Sequence, residues 1–538
     1  MLFFLISCKT EKIQADLILT NGQVYTVDSV FSMAEAIAIK DRRILALGSS
    51  KEILKEYGAE EHRDLNGRFV YPGWIDAHCH FFGYGMNLNA VDVAGTGSVE
   101  EIIALLKDFR EKHPGAWITG RGWDQNDWEV QEFPDKSMLD KHFPDTPILL
   151  RRIDGHAAWV NSLALEMAGV TARSRVEGGT VILSRGEPSG ILIDNAIGLV
   201  ASKIPPASKT EMIQALQQAQ ENCFEVGLTT VFDAGLSKEV VQLIDSLQQA
   251  GALKIRMNTW LSPSGENFRT FVEKGPYRTD YLSVNTIKLF ADGALGSRGA
   301  RMIEAYSDDP GNLGLYVTPP ELLEEHCKRA YQNNFAVATH CIGDGANRET
   351  LKIYARVLGG ENDRRWRIEH AQIIHPQDFH YFGDYNIVPS VQTTHATSDM
   401  YWAGDRVGSE RLKGAYAYKQ LLEENGWLPN GSDFPVEQIN PLFGFYAGVV
   451  RKDQAGFPEG GFQEENALSR EEALRAMTIW AARSGFEEDL KGSIEAGKLA
   501  DLVITGTDLM NAPEEELFGI KVLETYSGGE LVYEAGFD

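Results

Sequence analysis

Eight short apolar runs, most of them parted by helix-like segments, constrain this chain more than any other feature. They are "FVYPGWIDAHCH", "GLTTVFDAG", "KIRMNTWL", "NTIKLFADG", "FAVATHCIGD", "RWRIEHAQ", "NIVPSVQTTH" and "GWLPNGSDFPV". Between them lie amphipathic stretches such as "PPELLEEHCKRAYQNN" and "GANRETLKIYARVLG". Strand and helix alternating through eight repeats is the pattern of an α/β protein built as a (β/α)8 barrel. One connection is far longer than the rest, and it follows the first run. It carries "SVEEIIALLKDFREKH", "GRGWDQNDWEV" and "RRIDGHAAWVNSLALEMAGV", and it predicts an inserted subdomain at about residues 98–200 over the barrel mouth.

Both ends of the chain read differently. "ADLILTNGQVYTVD" alternates apolar residues around Asn21-Gly22, a hairpin signal, and "AEAIAIKDRRILALG" repeats the theme. "LADLVITG" and "LETYSGGELVYEAG" answer it near the C-terminus. The expectation is one β-sandwich domain split between residues 13–70 and 488–538, with the barrel at 71–487.

With 538 residues, 43% of them hydrophobic, the chain can bury a large core. A net charge of -26 repels polyanions, and no Lys/Arg cluster interleaved with aromatics occurs, which argues against nucleic-acid binding. The five cysteines, at 8, 79, 223, 327 and 341, form no CxxC pair, so neither a disulfide framework nor a thiolate zinc knuckle is indicated. Residues 1–12, "MLFFLISCKTEK", hold an apolar run too short to span a membrane. Leu5-Ile6-Ser7-Cys8 resembles the lipobox of bacterial lipoproteins, in which the cysteine is lipidated. No basic segment precedes it, so the expectation includes a fuller signal peptide upstream and a lipid-anchored place in the cell envelope, facing the periplasm or exterior. A cytoplasmic protein with a frayed N-terminus is the alternative, and membrane fractionation with lipid labelling separates the two.

A barrel of this kind does its chemistry at the C-terminal ends of its strands. The first run ends in His78-Cys79-His80, the fifth carries His340, the sixth His370 and the eighth Asp433. His78 and His80, two apart on a strand, face one way. Four of the twelve histidines fall at these strand ends together with one aspartate, and imidazole plus carboxylate is a donor set for zinc and similar divalent metals. Lys288 stands inside the fourth run between Ile287 and Leu289, where an unpartnered ammonium is costly.

These positions resemble the amidohydrolase superfamily. More narrowly, "GWIDAHCH", "IKLFADGALGS", "THCIGDGA", "RIEHAQ", "NGSDFPV" and "GSIEAGKLADLVI" resemble its subgroup of N-substituted formamide deformylase and YtcJ-like proteins, from Ile13 onward. The resemblance implies a barrel with two divalent metals, zinc first and manganese or iron as alternatives. His78, His80 and Asp433 would hold one, His340 and His370 the second, and Lys288 would bridge both as a CO2-derived carbamate; a single metal is the alternative arrangement. It also implies hydrolysis of a small amide-like substrate, such as an N-substituted formamide, by metal-activated hydroxide with Asp433 as general base. Cyclic amide hydrolysis or deamination at the same site, and a noncatalytic lipid-anchored binding or regulatory role, are the other readings. His156, His395, Trp123 and Trp128 are the candidates for substrate contact, each with a plainer structural role as the alternative. Where subgroup members often carry proline after the strand-seven glutamine, this chain has Thr393. A homodimer is the oligomeric expectation.

Overall fold

The computed structural model describes residues 12–113 and 115–536. Cys8 and its lipobox-like surroundings lie outside them. The chain divides into two compact units: one takes in the chain up to Ile75, 223–229 and the chain from Thr478, the other spans 76–222 and 230–477.

The first unit is a sandwich of two sheets. Arg43–Gly48, Ala36–Lys40, Ile13–Thr20 and Tyr57–Asp64 lie in that order in one; Glu530–Glu534, Val522–Ser527, Leu502–Thr505, Phe69–Pro72, Gln23–Tyr25 and Met33–Ala34 make the other. Leu17, Leu19, Ile37 and Ile39 meet Val24, Val70, Leu502 and Ile504 between them. The Asn21-Gly22 hairpin does not form. Asn21 takes a left-handed φ of 56°, and the turn passes the chain from one sheet to the other, because Ile13–Thr20 pairs antiparallel with Ala36–Lys40 and parallel with Tyr57–Asp64. Packing the inner faces of the two sheets against each other favours this crossing over a local pairing. The hairpin in this region instead turns at Asp41-Arg42, with φ of 48° and 68°, joining Lys40 to Arg43.

In the second unit, parallel strands run in the order Trp74–Cys79, Leu228–Leu236, Arg256–Leu261, Leu282–Phe290, Ala336–Cys341, Arg367–His370 and Val388–Ser390. These are the first to seventh barrel strands; Trp74 and Ile75 of the first and Leu228 and Thr229 of the second belong to the sandwich unit. They are buried on both faces, as a parallel sheet under helices must be. Flanking helices supply the outer layer; Lys238–Gln249, for instance, buries Val240, Val241, Leu243 and Ile244 at helical spacing. The eighth run closes the ring without forming a regular strand. Asn430 bridges Val391, and Ala77 N–H donates to the Asn430 carbonyl at 3.2 Å. Gly431 is required here, because a Cβ would lie 2.3 Å from the His78 nitrogen. The architecture is a (β/α)8 barrel with a sheet domain.

The long first connection carries a sheet of its own, ordered Gly179–Ser184, Glu187–Asp194, Ala157–Val160, Ile148–Arg152, Ile118–Trp123 and Val91–Asp92. The earliest strand of that sheet in the chain is Val91–Asp92.

Candidate metal centre

Six side chains named from the sequence gather at the C-terminal ends of the barrel strands. His78 is fully buried, with Nε2 3.5 Å from Asp433 Oδ1 and 3.4 Å from Lys288 Nζ. His80 brings its Nε2 to 3.2 Å from the same oxygen. The His370 ring lies 5.1 Å from that of His78 and 4.5 Å from that of His340. His340 Nε2 is 3.3 Å from the Gly293 carbonyl. Donor atoms of His78, His370 and Asp433 all lie within 4.8 Å of one another, a spacing that can hold a metal ion.

The residues fit a divalent cation. Despite its imidazole neighbours, Asp433 Oδ1 accepts no hydrogen bond, and His370 Nδ1, also buried, has no partner. Burial pushes His78 down to about 4, and it pushes His340 and His370 well below the ordinary histidine range. Neutral imidazole is the ligating form. Burial would raise Asp433, but the adjacent imidazoles of His395 and His80 hold it well below the usual carboxylate range. Burial likewise brings Lys288 down to about 8, so neutral amine is present near neutral pH.

Lys288 is 1% exposed, so its ammonium does not reach the surface. Nor does it pair with Asp292, whose carboxylate accepts backbone N–H groups of Arg301, Ile342 and Gly343 at 2.8–3.0 Å. Its neighbours are His78 and the rings of Phe290 and Trp260, at 4.8 and 6.0 Å.

Glu369 is a functional residue the sequence reading passed over. Its Oε2 lies 2.5 Å from His78 Nδ1, which leaves Nε2 for the centre. Burial would raise this carboxylate, but Arg367 and His78 hold it at about 2. Arg367 donates to it at 2.7 Å and to the Ala77 carbonyl at 2.8 Å, fastening the sixth strand to the first. Adjacent strand residues normally face opposite ways, yet Glu369 and His370 both point inward. The left-handed His370, with φ of 72°, breaks the alternation. Glu369→Gln should leave the fold intact and weaken metal binding by about 10- to 100-fold, the usual scale for losing such a partner; competition with a chelator measures it, and unchanged affinity would remove Glu369 from the site.

Residues 61–533 match the profile described as Amidohydrolase family. The chain belongs to the amidohydrolase family. Its relatives include the Arabidopsis thaliana protein LONG AFTER FAR-RED 3, 36% identical over 97% of this chain and 92% of that protein. The putative amidohydrolase YtcJ of Bacillus subtilis is 31% identical over 95% and 98%, and the N-substituted formamide deformylase of Arthrobacter pascens 27% over 96% and 98%. A metal-dependent hydrolase of Pyrococcus horikoshii superposes with a TM-score of 0.76 at 27% identity, covering 93% of this chain and 99% of its own. This amidohydrolase family is one of metal-dependent hydrolases of small molecules.

A cavity of about 610 Å³ opens onto the amidohydrolase centre, lined by His80, Lys288, His340, His370 and Asp433 among others. His156 and His395 line it too. His156 bonds Asp194 through Nδ1 at 2.6 Å, and its ring lies tilted 4.8 Å from that of His340. His395 bonds Glu437 through Nδ1 at 3.0 Å and sets Nε2 3.5 Å from Asp433 Oδ2. Burial would lower His395, but Asp433 and Glu437 raise it to about 10. Trp123 lies apart from this lining. It is 0% exposed, packs 6.2 Å from Trp128 in the core of the inserted sheet, and donates its indole N–H to the Leu150 carbonyl, away from the cavity lining. An aromatic residue's burial is as well met by that core as by a pocket. Thr393 uses its difference from proline: its N–H donates to Asn430 Oδ1 at 3.1 Å, joining the seventh strand's end to the eighth segment.

Proposed function

We propose that the protein hydrolyses the carbon–nitrogen bond of a linear amide, with N-substituted formamides the leading form. The observation that carries this reading is the buried meeting of His78, His370 and Asp433, with the Lys288 amine against His78. His78, His80 and Asp433 would hold one divalent cation, His340 and His370 a second, and Lys288 would bridge them as a carbamate; zinc leads, with manganese and iron as alternatives. When bound, the metal would supply Lewis acidity, lowering the pKa of water to about 7 and polarising the scissile carbonyl.

The chain's own residues do the remaining work. Asp433 accepts the proton of the attacking water and returns it to the leaving nitrogen. His395, held by Glu437, faces Asp433 Oδ2 and keeps that carboxylate oriented. His156, anchored on Asp194, leaves its other ring nitrogen for the substrate carbonyl in the cavity it lines. No serine or cysteine nucleophile is needed.

The 27% identical N-substituted formamide deformylase supports a linear amide. Metal-supplemented protein, prepared with bicarbonate, is tested on N-substituted formamides, N-acyl amines, hydantoin-like rings and aminated heterocycles. Amine release from a linear amide, together with bound zinc, manganese or iron, is the expected result. Release of ammonia from a heterocycle would replace this reading with deamination, and failure to retain any of these metals would end it.

A further inference from the structure

The inserted sheet places two arginines side by side, and neither makes an ion pair with a carboxylate among the described residues. Arg121 and Arg151 are direct partners across the parallel strands Ile118–Trp123 and Ile148–Arg152. Paired residues on neighbouring strands share a face, about 5 Å apart. Both are half-buried and both line the cavity at the metal centre.

Arg152, one residue on, shows how this fold treats an arginine it needs for structure. It is fully buried and saturated: Asp154 takes one nitrogen at 2.6 Å, Asp124 another, and Gln125 accepts from Nε at 2.9 Å. Asp433 and Asp154 are the carboxylates whose charge reaches Arg121; Asp154 is paired with Arg152, and Asp433 belongs to the metal centre. Arg121 gives one N–H to the Ile153 carbonyl at 2.6 Å, while its buried Nε has no partner. Arg151 has no hydrogen bond or ion pair among the described residues, and burial is the one influence that lowers it. Burial lowers Arg121 as well; the charges of Asp433 and Asp154 oppose that shift and the charge of Arg151 adds to it.

Two further carboxylates of the cavity are engaged elsewhere. Asp399 accepts from Tyr416 at 2.8 Å, and Glu437 accepts from Ser398 at 2.6 Å beside His395. Gly155 shapes the place: with φ of 76° its loop passes close to Arg121, and a Cβ there would lie 3.4 Å from both terminal guanidinium nitrogens. Two like charges held together in a half-buried pocket are unfavourable until an anion joins them. A planar carboxylate matches two guanidinium forks, each able to donate a pair of hydrogen bonds.

We propose that Arg121 and Arg151 form an anion subsite in the catalytic cavity, and that the substrate is an amide carrying a carboxylate. This rests on the amide-hydrolysis reading and narrows its substrate class. The carboxylate docks on the arginine pair and the scissile amide extends toward His156, His340 and Asp433.

The test uses a matched pair, N-acetylphenylalanine in both enantiomers and N-acetylphenethylamine, which differs only by lacking the carboxylate. Hydrolysis is followed with the metal-loaded enzyme, and binding is measured by calorimetry in metal-loaded Asp433→Asn protein. One enantiomer of the acid should bind roughly 10- to 100-fold more tightly than the neutral amide, the scale of hydrogen bonds to a charged group. Adding Arg151→Gln or Arg121→Gln should remove most of that preference, and Arg151→Lys should keep part of it. Equal binding, or no binding by either compound, overturns the subsite even if the arginine variants fail to fold. So does a preference that survives both glutamine substitutions. A preference without hydrolysis of either compound overturns the amide reading and leaves the subsite standing.

Discussion

Asp433→Asn is expected to lower kcat by about 10²- to 10⁴-fold, the range assigned to a positioned general base. The substitution keeps the shape of the side chain and removes its ability to take a proton. It should not disturb the backbone. Asp433 has a φ of 64°, a region that asparagine tolerates nearly as well as any residue other than glycine. Its N–H donates to the His78 carbonyl at 2.7 Å, a bond the substitution leaves in place. Metal content should largely persist, because the histidines and Lys288 are untouched and an amide oxygen can stand where Oδ1 faced His78 and His80 at 3.5 and 3.2 Å. Steady-state rates on the best amide, metal content and the melting curve together decide the matter. A variant with full metal and an undiminished rate would take the general-base role away from Asp433. Loss of metal along with the rate would instead make it chiefly a ligand.

The barrel was legible because parallel strands buried on both faces read as apolar runs, and because the polar residues ending those runs are the ones that chemistry needs. His78, His80, His340, His370 and Asp433 interrupt apolar segments at matching places, and the structure brings all of them to one end of the sheet. What escaped the sequence depended on partners far apart in the chain. Glu369 looked like one more polar residue beside a histidine; its role comes from Arg367 at 2.7 Å and from His78, nearly three hundred positions away. Asn21-Gly22 has the composition of a tight hairpin, yet which strands pair is decided by the sandwich core that Leu17, Leu19 and Val24 enter. Trp123 could have lined a pocket as well as a core, and only the register of the inserted sheet assigns it to the core. That same register aligns Arg121 with Arg151. No periodicity within either segment could have shown that alignment.

Lys288→Ala should cost the protein one or both metals and lower the rate by roughly 10²- to 10³-fold, the scale of losing a preorganised charge-stabilising group. As an ammonium, this residue would oppose the site. It lies 3.4 Å from His78 Nε2, the nitrogen that should face a cation, and no carboxylate forms an ion pair with it among the described residues. Addition of the neutral amine to carbon dioxide forms a nitrogen–carbon bond, releases one proton and leaves a carboxylate where a positive charge would have been. Burial favours the neutral amine that this addition requires, and divalent cations then favour its anionic product. Alanine can do neither. Acetate or propionate supplied with metal should restore part of the activity by occupying the vacated space with an unattached carboxylate. Metal-free protein gives the control: there the lysine contributes only the cost of a buried amine, so the melting temperature of metal-free Lys288→Ala should not fall below that of the metal-free parent. A lower value would mean that the lysine supports the fold in its own right. Full metal content and an unchanged rate in the alanine variant would leave the buried amine without a part in the reaction.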